Sequence, residues 1–135
     1  MGRVGKEFGA TTGRPRRCGW LDLVALRYAG RVNGLTDLFI TKLDILSEFE
    51  TLQVCVAYDY EGQRYDEFPR QQRVLYDCVP IYEELAGWHS DISGVRSFAE
   101  LPKEAQAYVE FIEDRVGVPV SQLSVGPQRS ATVDR

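Results

Sequence analysis

The run Leu52–Tyr60, LQVCVAYDY, constrains the fold of this chain more than any other segment. It is dense in β-branched and aromatic side chains, and Val54, Val56 and Tyr58 share one parity, which predicts a β-strand. Glu61-Gly62 supplies a turn, so Gln63–Phe68 is expected to return beside it as a hairpin partner. On either side of this hairpin the periodicity changes. Leu21, Val24, Ala25, Tyr28 and Val32 recur at helical spacing from Gly19-Trp20 to an Asn33-Gly34 stop. Leu38–Thr41 (LFIT) reads as a short buried strand, with Lys42–Asp44 at its carboxyl end. Val79–Leu85 reads as another strand, with Pro80 at its first residue or on an edge. Ser97–Glu100 has capping-box form and Pro102 suits a first helical position. Ala105, Tyr108, Val109, Ile112 and Val116 then predict a helix that Gly117 ends. Val120–Val125 reads as a last strand and Gln128–Arg135 as a polar, frayed tail. Strand–helix alternation around a hairpin predicts an α/β or α+β fold.

A chain of 135 residues makes one domain, and 44% hydrophobic with 27% charged residues is globular rather than disordered composition. No apolar run approaches the roughly 18 to 20 residues of a membrane span. Met1–Ala10 has no apolar core for a secretory signal. Cys18, Cys55 and Cys78 are odd in number and widely spaced, fitting neither a disulfide framework nor a clustered zinc site. A reducing cytoplasm is the expected location. Net charge is -4, yet residues 1–31 carry +5 and the remainder -9. A local basic cluster on an acidic chain suits a small anion; a nucleic-acid binder spreads its positive charge along a face and interleaves aromatics. Neither nucleic acid nor membrane is therefore expected as a partner. A solvated basic terminus has the same composition.

Three segments carry residue types suited to a nucleotide and small acids. In the Gly/Pro-interrupted loop Glu7–Arg17, EFGATTGRPRR, the guanidinium groups of Arg14, Arg16 and Arg17 are planar, permanent donors for carboxylate or phosphate. Thr11 and Thr12 add hydroxyls, and the glycines let backbone N–H groups approach an anion. Thr41-Lys42-Leu43-Asp44 follows a predicted strand. A carboxylate there can accept from both N1–H and the 2-amino group of guanine, donors that adenine lacks, so Asp44 would discriminate between the purines. The Lys42 stem could lie along the base. P-loop GTP-binding proteins use a similar Asn-Lys-x-Asp segment, but Thr stands first here and no Walker A sequence occurs in the chain. Ser124-Val125-Gly126-Pro127 also follows a strand, where ligands of α/β sheets bind. A strand end with solvated charges and a Gly/Arg surface loop are the plain alternatives. His89 paired with a cysteine remains open, while Glu83-Glu84 and Glu113-Asp114 are adjacent pairs that point apart.

In this order and approximate spacing, EFGATTGRPRRCGWLD (Glu7–Asp22), TKLD (Thr41–Asp44), VAY (Val56–Tyr58), PIYEEL with GW (Pro80–Trp88), GVP (Gly117–Pro119) and SVGPQR (Ser124–Arg129) resemble the C-terminal part of the adenylosuccinate synthetase family. The resemblance runs along almost the whole chain. It implies an α/β fold that forms the C-terminal part of a mixed, mostly parallel sheet flanked by helices, with a β-hairpin excursion. It also implies a ligase that joins IMP to L-aspartate with hydrolysis of GTP, in the step from IMP towards AMP. Residues 7–17 would then be the substrate loop, with Ala10, Thr11, Thr12, Gly13, Arg14, Pro15 and Arg16 meeting aspartate and IMP, and Arg16 reaching GTP as well. Residues 38–44 and 120–127 would hold guanine through Lys42, Leu43, Asp44, Ser124, Val125 and Gly126.

The family's chain is about three times longer. The phosphate loop, the catalytic aspartate and histidine, the magnesium ligands and most IMP contacts lie in its N-terminal part, so none of these 135 residues is expected to be catalytic or to bind Mg2+. IMP, L-aspartate and GTP are the implied partners, within a cytoplasmic homodimer. The chain by itself is expected to be inactive. A non-catalytic guanine-nucleotide-binding module and a relic without function are the alternatives.

Overall fold

In the computed structural model, which describes Gly2 and residues 5–135, the run Leu52–Tyr60 is the middle of a sheet. Strand β1 is Leu21–Asp22, helix α1 Leu23–Asn33, β2 Leu38–Ile40, β3 Thr51–Tyr60, β4 Gln63–Tyr65, helix α2 Gln72–Asp77, β5 Val79–Ala86, helix α3 Lys103–Val116, β6 Val120–Ser124 and β7 Thr132–Asp134. Strand β3 pairs parallel with β1 and antiparallel with β4 and β5. A second sheet runs β2-β6-β7, with β2 parallel and β7 antiparallel to β6. The α/β class, the flanking helices and the hairpin are as the sequence predicts. The strands divide between two mixed sheets, and among the described pairings two are parallel and three antiparallel, so a parallel majority is not seen within this chain.

The hairpin turn is Glu61-Gly62, both at positive φ (53° and 80°), which matches the twist of the strands it joins. Its return strand ends at Tyr65 rather than Phe68. The single parity read along β3 breaks at a register shift between Cys55 and Ala57. Val54 and Val56 enter the main core, while Cys55 and Tyr58 pack with Val24 in a smaller cluster. A bulge adds one residue and so reverses which face the following side chains meet.

The main core joins both sheets. Leu23, Leu43, Val54, Val109, Leu123, Val125 and Val133 are fully buried and belong, with Trp88 and Tyr108, to one contiguous cluster. Helix α3 presents Ala105, Tyr108, Val109 and Ile112 to it, as the spacing predicts, and ends at Gly117, whose φ of 75° suits a residue without Cβ. Trp88 Nε1 donates to Ser47 Oγ at 2.8 Å, satisfying the buried indole.

Several expectations are corrected. Helix α1 begins at Leu23, because Leu21 and Asp22 pair with Val54 and Cys55 and Asp22 then caps the helix by accepting from Ala25 N–H at 3.0 Å. Strand β2 is an edge strand rather than a buried one, so Phe39 remains 49% exposed. Helix α2 was not foreseen; its single buried residue, Val74, gives no repeating pattern. The tail is not frayed. Arg129–Ala131 make a 3₁₀ turn, β7 pairs with β6, and Ala131 and Val133 are buried. Arg135 pairs with Glu113 and lies over the Phe98 ring, 4.4 Å from its centroid. Pro102 sits one residue before the helix rather than inside it.

Gly87 marks the tightest approach between segments. A Cβ there would fall 2.0 Å from Phe49 O, and its N–H donates to Glu50 O at 2.8 Å. Backbone cannot yield as a side-chain tip can. Gly87→Ala is expected to cost about 3 kcal/mol, read as a lower urea midpoint at unchanged slope; an unchanged midpoint would contradict this packing.

Candidate functional site

The parallel pairing of β2 with β6 aligns Leu38 with Val120 and Ile40 with Leu123. Both chains therefore leave the sheet at the same end. Thr41–Asp44 and Ser124–Gly126, more than 80 residues apart in sequence, come together, and Lys42 N–H donates to Ser124 Oγ at 3.0 Å. Lys42 has a φ of 61°, an unusual backbone for a long side chain, costing on the order of 1 kcal/mol or more. The bond to Ser124 and the burial of Leu43 in the next position hold it there. Asp44 follows in the first turn of the 3₁₀ segment Leu43–Glu48 and is half-buried. Its Oδ1 is buried with no hydrogen-bond partner among the described residues, the only side-chain atom of that kind. A buried acceptor without a donor costs about 1–3 kcal/mol. Val125 is fully buried, with its N–H bonded to Ala131 O at 3.0 Å, and Gly126 faces Ala131 Cβ, so these residues offer a small, rigid border.

The loop Glu7–Arg17 folds back on itself. Phe8 and Pro15 form an isolated bridge, Gly9 N–H donates to Arg14 O at 2.8 Å, and Arg16 N–H donates to Glu7 O at 2.9 Å. The tip, Ala10–Arg14, is exposed, with Gly13 at a φ of 64° and Arg14 N–H donating to Thr12 Oγ1 at 3.4 Å. Arg14 makes no ion pair among the described residues and is free to meet an anion.

Glu7 joins this loop to the other segments. Its Oε2 receives Arg16 Nη1 at 3.3 Å and its Oε1 receives the Lys42 ammonium, which also donates to Gly5 O at 3.0 Å. The hydrogen bond from Lys42, reinforced by the charges of Lys42 and Arg16, holds the Glu7 carboxyl below the usual glutamate range. The Lys42 ammonium thus meets the loop Glu7–Arg17, where the sequence suggests a stem lying along a base.

A cleft of about 520 Å3 opens beside these residues. Glu7, Arg16 and Lys42 line its polar side; Trp20, Phe39 and Leu46 are among its apolar walls. Asp44, Ser124, Val125 and Gly126 do not line it. Leu21 of β1, Leu38–Ile40 of β2 and Tyr108 and Ile112 of α3 also line it, so its walls are mostly apolar. Among the described residues no three His, Cys, Asp or Glu side chains gather as a metal-ligand cluster.

Sequence reasoning passed over Glu7 and the Asp22–Tyr58 pair. A lone carboxylate inside a basic cluster was the available signal for Glu7. Tyr58 O–H donates to Asp22 Oδ2 at 2.5 Å, tying the N-terminus of α1 to β3. Burial, then the Asp22 bond, pushes the Tyr58 hydroxyl well above its ordinary value. Burial also raises Cys55 to about 11, which suits a packed thiol rather than a nucleophile. His89 makes no hydrogen bond to any cysteine among the described residues.

Fold and site together define an α/β protein with an exposed arginine-bearing loop and, among the described residues, an unpaired acceptor at adjoining strand ends. The family model for adenylosuccinate synthetase matches residues 1–133. Among curated relatives, the chain is 60% identical to the adenylosuccinate synthetase of Parafrankia sp. (strain EAN1pec), over 97% of this chain and 31% of the relative. It is 53% identical to that of Geobacter sulfurreducens, over 97% of this chain and 30% of the relative. The solved structure of fully ligated adenylosuccinate synthetase from Plasmodium falciparum superposes with a TM-score of 0.92 at 36% identity, covering 98% of this chain and 32% of that one. The chain belongs to the adenylosuccinate synthetase family and spans less than a third of the length of these relatives.

The ion-pair geometry makes a direct pH prediction. Because Glu7 ionises more readily in the fold than at the ordinary glutamate value of 4.5, its link to Lys42 contributes above pH 4.5 and is lost as pH falls through the lower folded value. A carbon-detected NMR titration of the Glu7 carboxyl is expected to give a midpoint below 4.5 that returns upward in Lys42→Met. An ordinary midpoint in both proteins would refute the pairing.

Proposed function

We propose that this chain supplies the guanine pocket and the dicarboxylate loop of a GTP-dependent ligase that joins IMP and L-aspartate into adenylosuccinate. The observation that carries this reading is the buried, unpaired Oδ1 of Asp44, set next to the Lys42–Ser124 hydrogen bond. The N1–H and 2-amino donors of guanine relieve that oxygen, whereas adenine has no N1–H to offer it. Lys42 and Leu43 hold Asp44 in place, and Ser124, Val125 and Gly126 border the base on the opposite strand end.

In the reaction the 6-oxygen of IMP takes the γ-phosphoryl group of GTP, and the aspartate amine then displaces that phosphate, leaving GDP and inorganic phosphate. The residues here bind and orient. Ala10–Gly13 present backbone N–H groups and the Thr11 and Thr12 hydroxyls to the aspartate carboxylates, with Pro15 stiffening the return of the loop. Arg14 reaches between IMP and aspartate, and Arg16 lies between aspartate and GTP, where its permanent charge offsets that of both anions. Magnesium, when bound to the family's enzymes, neutralises nucleotide phosphates; its ligands fall outside the residues described. IMP, aspartate and GTP are the proposed partners, in a cytoplasmic homodimer of the longer enzyme.

For these 135 residues acting alone, the same Asp44 and Lys42–Ser124 arrangement supports a second reading: a non-catalytic guanine-nucleotide-binding module. Two measurements separate these. The chain is expected to bind GDP, and Asp44→Asn to weaken that binding by more than tenfold, given about 1.5–3 kcal/mol for a charged hydrogen bond; equal affinity for GDP and ADP would remove the guanine reading. In a coupled assay with IMP, aspartate and GTP, the 135 residues alone are expected to give no turnover, and measurable turnover would show that they need nothing further.

A further inference from the structure

The carboxylate of Glu7 is divided between two cations that belong to different sites. One oxygen takes the Lys42 ammonium and the other takes Arg16 Nη1 at 3.3 Å. The Arg16 pairing lies within one loop, whereas Glu7 and Lys42 are 35 residues apart. The Lys42 backbone is held by Ser124 at 3.0 Å and has a left-handed φ of 61°, so the side chain that reaches Glu7 starts from the guanine segment itself. The Arg16 backbone is tied to the loop by its N–H bond to Glu7 O at 2.9 Å, so its side chain springs from the substrate loop. The Glu7 side chain is only 20% exposed, less than either partner, which keeps the shared carboxylate from being fully screened by water.

We infer that Glu7 is a positioning residue that couples the guanine-nucleotide segment to the substrate loop. The inference rests on the site reading above and extends it. Two cations share one carboxylate. A ligand that draws Lys42 away hands the whole carboxylate to Arg16, and a dicarboxylate that draws Arg16 away hands it to Lys42. Occupancy at one site therefore alters the charge and freedom of the other, and by linkage the effect on affinity is the same in both directions. Each pair is partly solvated, so the coupling is modest, about two- to fivefold in affinity.

Amide and arginine side-chain NMR spectra of the 135-residue chain test this, with the β3 amides as the control for folding. Without ligand, Lys42→Met is expected to shift the Arg16 side-chain signal and the amides of Gly9–Arg16, and Lys42→Arg to restore much of their position. With GDP, the wild-type chain is expected to move both the Ser124–Gly126 amides and those of the loop. In Glu7→Gln the loop response to saturating GDP should fall below a third of the wild-type value. Loop signals indifferent to Lys42→Met, or a full loop response in Glu7→Gln, would overturn the coupling. GDP that moves neither region would instead overturn the guanine-site reading, and the ligand-free comparison would still decide the role of Glu7. If Glu7→Gln loses the dispersed β3 signals, that same ligand-free comparison decides alone.

Discussion

The parallel register of β2 against β6 is the constraint from which the site follows. Three residues of β2 are enough, because parallel pairing sends both chains out of the sheet at one end. Shifting β2 by one residue would turn Leu38 and Ile40 away from the face they now cover. It would also separate Lys42 from Ser124, and with them the two segments that surround Asp44. Burial of Leu123 and Val133 in β6 and β7 holds the register, so the core stabilises the site indirectly.

Around this junction the chain departs from low-energy local choices. Lys42 takes a left-handed backbone and Asp44 keeps a buried oxygen unpaired. Each costs on the order of 1–3 kcal/mol, and neither is relieved within the described residues. The surrounding core, from Leu43 to Val125, makes these positions affordable. Left-handed non-glycine backbone also occurs at Lys6, Glu61 and His89, but among the described residues only this strand end adds a buried, unpaired side-chain oxygen.

How far the sequence led depended on whether a local signal existed. Helix α3 was legible because Ala105, Tyr108, Val109 and Ile112 repeat at helical spacing and Gly117 stops the pattern. The β3–β4 turn was legible because Gly62 suits positive φ. Helix α2 offered only Val74 to the core and left no period to read. The tail looked polar because Arg129, Asp134 and Arg135 outnumber its apolar residues, yet Ala131 and Val133 are the ones that are buried. The bulge in β3 moved Tyr58 to the other cluster, a change of face that alternation alone does not carry.

For the site, the sequence by itself determined the chemistry on offer: guanidinium groups and glycines in one loop, a carboxylate after one strand, small residues after another. Those follow from side-chain type and order. Only the tertiary structure decided which of them meet, since that depends on β2 lying beside β6 and on a loop folding back far enough for Glu7 to reach Lys42. Long-range pairing is set by the burial of whole strands, a property of the assembled core that no single segment contains.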